Sequence, residues 1–388
     1  MPDDLIGSFI DRGLYSPAAD DAGDRLALLT HYAERGITID RMVEAKAAGR
    51  LQTLSGDLLF FDVGPELTIE EVAERCAIGI DRVLRIRLAS GLPTDVDTTV
   101  PSWALDDVAG FTLAAALFGE AATLAFSRVM GAGAARLADA AVSLFLTEVD
   151  TSLSERHAAP IDWALANEEA ARLVDVVASI NAHLLREHLA LAIRRQRSMV
   201  SPGQGAVVRT TIGFVDLARS TEWASSLSPL AQAGALAVFE SAAWDIATRH
   251  GGRIVKLIGD EVMFTVGEPA AACAIAIELC AAVSAEQSLP SARAAIGFGE
   301  VAFRDGDFFG PLVHVVARAV KTADEGAVVA DAAVRERCEA EGFPAHFEAL
   351  EPKELRGVPK PVVLHVVTPA AGSARAMQAL SARRAISK

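Results

Sequence analysis

The chain is short of positive charge: 36 Lys and Arg stand against 51 Asp and Glu, a formal net charge of -15 over 388 residues. Phosphate-backbone binding needs a local surplus of Lys and Arg, so a nucleic-acid partner is disfavoured. Cysteine is scarce as well. The 4 cysteines, Cys76, Cys273, Cys280 and Cys338, form no CxxC pair. That argues against a disulfide framework or a thiolate zinc centre and for reduced thiols. The opening residues, MPDDLIGSF, lack the apolar length of a signal peptide. Long apolar runs are also missing. The most apolar stretch, GFTLAAALFGEAATLAF (110–126), is interrupted by Glu120 and followed by Arg128. It falls short of the roughly 20 apolar residues of a spanning helix and reads as a buried helix of a soluble fold. A cytoplasmic chain with no transmembrane segment is expected.

What is present suffices for two domains with real cores, since 51% of the residues are hydrophobic. Residues 1–200 read as all-helical, with apolar residues recurring at three- and four-residue spacing. In 173–198, Leu173, Val176, Val177, Ile180, Leu184, Leu185, Leu189 and Ile193 form one broad stripe. Pro202, Gly203 and Gly205 then mark a linker over 201–206. From 207 the texture changes to strands mixed with helices, which predicts an α+β domain over 207–370, one central sheet covered by helices. The tail, 371–388, is Ala- and Ser-rich and basic, and is expected to be flexible.

Within 207–370, GFVDLARST carries Asp216 at the end of an apolar strand, and KLIGDEVMF carries Asp260 at a hairpin tip. Either alone fits a plain turn or cap aspartate. If the two strands pair, the carboxylates converge, and converging carboxylates repel unless a divalent cation lies between them. Two-metal sites of that kind serve in-line displacement at phosphorus. Lys256 shares strand parity with Ile254 and Ile258. Its ammonium either snorkels to water or is aimed into a site that reads a ligand acceptor. In DGDFFGPLVHVVARAVK, Asp307 precedes a Gly-Pro turn, and His314 and Arg318 lie four apart on one helix face. Arg318 fits a solvated cation or, on so apolar a helix, a cation opening into a cleft.

FVDLARST, VKLIGDEVMF, DFFGPLVHVVAR and ELRG resemble, in order and spacing, the motifs of the class III adenylate and guanylate cyclases, over about 207–367. The resemblance implies a ferredoxin-like catalytic domain that dimerises head to tail, with sites at the interface. It assigns Asp216, Asp260 and the Leu217 carbonyl to two divalent cations, Mg2+ or Mn2+. Lys256 and Asp307 would read the adenine edge of ATP, Arg318 would meet charge on the α-phosphate, and Arg356 would hold the terminal phosphates. Lys256 and Asp260 would serve different sites of the homodimer. One position departs: the family has Asn, which positions the ribose, where this chain has His314.

The first 200 residues resemble more loosely the helical regulatory domain of actinobacterial cyclases that respond to pH. An autoinhibitory pH sensor is one expectation, with His157, His183 and His188 as candidates. A second is an acyl-chain pocket for a fatty acid among helices 108–147. An alternative for the whole chain is a degenerate, nucleotide-sensing cyclase fold with a DNA-binding segment, because LTIEEVAERCAIGIDRVLRIRLASGLP reads like a helix-turn-helix whose second helix offers three arginines.

Overall fold

Four of the helices begin on side-chain caps that the sequence supplies. Thr38, Thr68, Ser228 and Asp331 each stand one residue before a helix and accept from the backbone N–H three residues on, at 3.4, 3.2, 3.3 and 2.8 Å. Thr68 completes a capping box with Glu71, whose carboxylate takes the Thr68 N–H at 2.8 Å. The computed structural model describes residues 3–61, 65–95, 98–199 and 207–370. The expected linker at 201–206 and the tail at 371–388 lie outside the described residues.

The chain divides into two compact units, Met1–Leu189 and Ala190–Lys388. The first is helical. Helices α1 (Asp3–Asp11), α2 (Ala22–Glu34), α3 (Ile39–Ala47) and α4 (Leu54–Phe61) bury Phe9, Leu28, Leu29, Tyr32 and Met42 around a first core, which Ala164 joins from the far end of the unit. A two-residue strand β1 (Glu66–Leu67) leads into α5 (Ile69–Arg75) and α6 (Ile80–Ala89), and β2 (Val100–Pro101) pairs back on β1. A second core forms there from Ile69, Val72, Val83, Ile86, Val108 and Phe111. Helix α7 (Ala104–Phe118) follows, then α8 (Glu120–Leu144) beyond the left-handed Gly119, a π-helical turn, α9 (Thr151–Glu155) and the 40-residue α10 (Pro160–Met199). Gly131 of α8 lets the Ser90 backbone approach, since a β-carbon there would stand 2.3 Å from the Ser90 carbonyl oxygen.

Three expectations for this unit change or gain no support. The stretch 110–126 is not a buried helix. Leu113 and Leu117 are each 76% exposed, and Phe118 and Phe126 also face outward. Apolar residues surround these helices on all sides, and neighbours cover only the Phe111 and Thr123 side. The same outward display leaves the expected acyl-chain pocket without support. Among the described residues one helical run, Glu120–Glu155, is long and apolar enough to cross a membrane. It nevertheless carries Arg128, Arg136, Asp139, Glu148 and Asp150. The helix-turn-helix itself is present, as α5 and α6 joined by a short turn, but its expected use on DNA gains no support. Arg82 and Arg85 of α6 pair with Glu120 at 3.0 and 3.6 Å, and Arg87 donates to the Pro93 carbonyl at 3.1 Å. The three arginines a DNA reader would need already have partners within the unit.

The second unit is built on one eight-stranded sheet: β3 (Val207–Leu217), β4 (Arg253–Ile258), β5 (Glu261–Val266), β6 (Ala292–Arg304), β7 (Asp307–Phe309), β8 (Val328–Ala330), β9 (Ala345–Ala349) and β10 (His365–Pro369). The order is β4-β5-β3-β6-β8-β10-β9, with β7 on β6, and only β6 and β8 run parallel. Helices α12 (Pro229–Arg249), α13 (Pro269–Ala285) and α15 (Ala332–Ala340) cover one face, following a short α11 (Ser220–Ser225). Helix α14 (Pro311–Ala319), inserted between β7 and β8, covers the other. This is the expected α+β architecture. Alternation along β3 sends Val215 and Leu217 to the first face and Ile212 and Phe214 to the second. Asp216 therefore shares the α14 face. Gly213 leaves room for Phe264, whose ring would meet a β-carbon there at 2.1 Å.

Lys256 does not keep parity with Ile254. The β4–β5 register slips between them: Ile254 opposes Phe264, but Lys256 opposes Met263. Phe264 belongs to the α13 face and Met263 to the α14 face. A β-bulge at Val255 thus turns Lys256 onto the face that Asp216 occupies.

Candidate active site

Strand β3 ends beside a hairpin tip. Gly259 takes the left-handed conformation, φ +63, and with Asp260 forms the two-residue turn between β4 and β5. Asp216 lies in register with Glu261, and the Leu217 N–H donates to the Asp260 carbonyl at 3.1 Å. The strand pairing anticipated for the two aspartates is therefore present. Asp260 is half-buried, and among the described residues its carboxylate has no hydrogen-bond partner.

Asp216 is 1% exposed and accepts from two cations. Arg293, opposite it on β6, donates to Oδ2 from Nε at 3.0 Å and from Nη2 at 2.9 Å. The Lys321 ammonium takes Oδ1 and reaches Glu261 Oε2 at 2.8 Å. Burial pushes the Glu261 carboxyl above its usual range against the pull of Lys321, and the charges of Asp216 and Asp260 add to the rise. Burial alone would lower Lys321, but its hydrogen bonds to Asp216 and Glu261 prevail and hold it above an ordinary lysine.

Elsewhere on this face Lys256 Nζ donates to Asp307 Oδ2 at 2.6 Å, both groups part-buried. Asp307 reaches it because the left-handed pair Asp305 and Gly306 turns the chain back to pair β7 with β6. On α14, Val313, Val316 and Ala319 face the core, while His314 is exposed and Arg318 half-buried. Gly357, at φ +72, makes room for the arginine: a β-carbon there would lie 3.2 Å from Arg318 Nη1. The ELRG turn thus sets Arg318 close to the backbone beside Arg356, which is exposed. Among the described residues neither guanidinium has an ion-pair or hydrogen-bond partner. Two unneutralised arginines around one turn suit a polyanion.

Among the described residues no three His, Cys, Asp or Glu side chains form a ready-made metal cluster. Asp216 and Asp260 still fit a hard divalent cation, as two carboxylates from adjoining strand ends, one of them unpartnered. Sequence reasoning missed Arg293, Glu261 and Lys321. Lys321 follows Arg318 by three residues, so helical spacing could have found it. Arg293 is the charge that breaks the apolar strand ARAAIGF. In the first unit His157, His183 and His188 are all exposed. The histidine buried there is His31, at 2.7 Å from the Glu168 carboxylate, and no sequence signal marked it.

No family model matches the chain. It is 32% identical over 317 residues to the uncharacterized protein Rv2212 of Mycobacterium tuberculosis, covering 81% of this chain and 83% of that one. It is 26% identical over 373 residues to the pH-sensitive adenylate cyclase MT1302 of the same species, covering 92% and 89%. Among solved structures, the adenylyl cyclase CyaB from P. aeruginosa aligns with 43% of this chain and 97% of its own, at 18% identity and a TM-score of 0.39.

Proposed function

The chain belongs to the class III nucleotide cyclases, and on that premise we propose that it converts ATP to 3′,5′-cyclic AMP and pyrophosphate at sites shared between two copies. The observation that carries this reading is the junction of Asp216 and Asp260 at adjoining strand ends, on a sheet face that also bears Lys256, Asp307 and Arg318.

Asp216 and Asp260, with the Leu217 carbonyl, would hold the divalent cations. Bound there, Mg2+ or Mn2+ supplies positive charge to the triphosphate and acidifies the ribose 3′-hydroxyl that attacks the α-phosphorus. Lys256 donates to an adenine ring nitrogen and Asp307 accepts from the exocyclic amine. Their mutual ion pair fixes both side chains before the base arrives, so little side-chain freedom is lost on binding. Arg318 meets the charge that develops on the α-phosphate, and Arg356 the terminal phosphates. Two copies arranged head to tail would complete two equivalent sites. The outward apolar faces of α7, α8 and α10 are surfaces of the kind a second copy covers.

Cyclic nucleotide produced from ATP and from GTP with Mn2+ tests the assignment. Cyclic AMP should predominate; predominant cyclic GMP, or no product, overturns it. His314 stands where the family uses asparagine to orient the ribose, and a larger, titratable ring holds it less well. His314→Asn is therefore expected to raise turnover with ATP, and an unchanged or lower rate would remove His314 from the ribose site.

The helical unit is proposed to regulate the catalytic one. pH–rate profiles of the full chain and of residues 203–388 should differ, the full chain being the more suppressed at one end of the range. Superimposable curves would leave the helical unit a passive scaffold.

A further inference from the structure

We infer that Lys321 is a displaceable counter-cation, which holds the Asp216 carboxylate until a divalent metal ion evicts its ammonium and so sets how tightly the site binds metal. The inference rests on the proposal that Asp216 is a metal ligand, and it concerns a residue outside the four motifs.

The two cations on Asp216 differ in kind. Arg293 is a fixture. Its fork holds Oδ2 by two nitrogens, and its Nη1 donates to the carbonyls of Lys321 and Ala323 at 3.0 and 3.4 Å. Its side chain is 21% exposed. Removing it would strand a buried charge and two carbonyls. Lys321 has the opposite character. It rises from a single 3-10 turn, Val320–Thr322, at the end of α14, and its side chain is 49% exposed. Its ammonium is a point charge on a flexible stem that can swing into water at little cost. It bridges Asp216 and Glu261, with the unpartnered Asp260 next in the chain.

Charge counting favours exchange. With Lys321 in place, Asp216 and Glu261 are balanced by one arginine and one lysine, and Asp260 is left over. A divalent ion in place of the ammonium replaces one positive charge by two and neutralises all three carboxylates. Metal must first break both lysine ion pairs, so the lysine weakens apparent metal affinity. In exchange, the site without metal is not left as bare carboxylates in a buried strand.

The test is Mn2+ binding to the full chain without nucleotide, read as loss of the free-ion paramagnetic resonance signal. Lys321→Gln removes the competitor and is expected to bind Mn2+ at least about tenfold tighter than wild type, the scale of one charged hydrogen bond. Lys321→Arg keeps the charge and should stay near wild type. Equal or weaker binding by Lys321→Gln overturns the inference, while loss of binding in Asp216→Asn leaves the metal site itself standing. Unchanged binding in Asp216→Asn would sink both. A second measurement needs only the wild-type protein: labelling of Lys321 by an amine-acylating reagent, read by peptide mass spectrometry, should rise when Mn2+ is added. No rise, or a fall, refutes the displacement.

Discussion

Replacing Arg318 by alanine is expected to lower turnover by roughly 10²–10³-fold while changing the KM for ATP little. The expectation comes from where the guanidinium sits and what it lacks. It is half-buried at the end of a helix whose other face packs on the sheet, and Gly357 brings backbone against it. No carboxylate neutralises it among the described residues. A positioned cation aimed at charge that appears only in the transition state acts on kcat, and losing such a donor costs about 2.7–4 kcal/mol. Arg356 makes the contrast. It is exposed on a turn and is proposed to grip phosphates that carry their charge in the ground state, so Arg356→Ala should raise KM more than it lowers kcat. Steady-state kinetics of the two variants separates the roles. Equal losses in kcat and affinity for Arg318→Ala would contradict a transition-state role.

How much of the site was legible depended on sequence distance. Asp216 and Asp260 could be read because each ends an apolar strand and the turn between β4 and β5 is two residues long; antiparallel pairing then fixes their meeting. The face of Lys256 could not be read from alternation, because one bulged residue, Val255, reverses every later side chain of β4. The partner of Lys256 was legible as a role and not as a contact, since Asp307 reaches it through a three-residue strand too short to show a period. Lys321 looks like a surface cation at the end of an amphipathic helix, and only the sheet register brings Asp216 and Glu261 beneath it. In the helical unit the periodicity correctly gave helices and not which faces would be covered. The stripe along α10 is regular, yet Leu173, Ile180 and Leu184 remain exposed. Burial requires a partner surface, which a periodic pattern does not specify.

The largest effect on stability is expected at Glu168, a residue no motif singles out. Its carboxylate, 1% exposed, lies 137 residues from its partner in α2: Oε1 faces His31 Nε2 at 2.7 Å and Arg35 Nε at 2.9 Å, while Arg172 reaches Oε2 at 3.3 Å. Arg35 also approaches His31 Nδ1 at 3.0 Å, so one carboxylate and one guanidinium grip the ring from both sides. Burial alone would push the Glu168 carboxyl up. The hydrogen bond from His31, and the charges of His31 and Arg35, outweigh it and leave the group below its ordinary value of 4.5. A depressed carboxylate contributes stability at every pH above its unfolded value and loses it as pH falls through the folded value, so this contribution is intact at neutral pH and is lost only in acid, as pH falls through the depressed folded value. Glu168→Ala leaves His31, Arg35 and Arg172 around an empty site, and breaking a buried pair in this way costs about 3–5 kcal/mol. Amide exchange in α2 and the first half of α10 should then accelerate together by about two to nearly four orders of magnitude, with β3 and β6 unaffected. Glu168→Gln, which keeps shape and one acceptor, should fall between. Exchange in α2 that stays at the wild-type rate in the alanine variant would mean that the apolar core of Leu28, Leu29 and Tyr32 holds the two helices together without this ion pair.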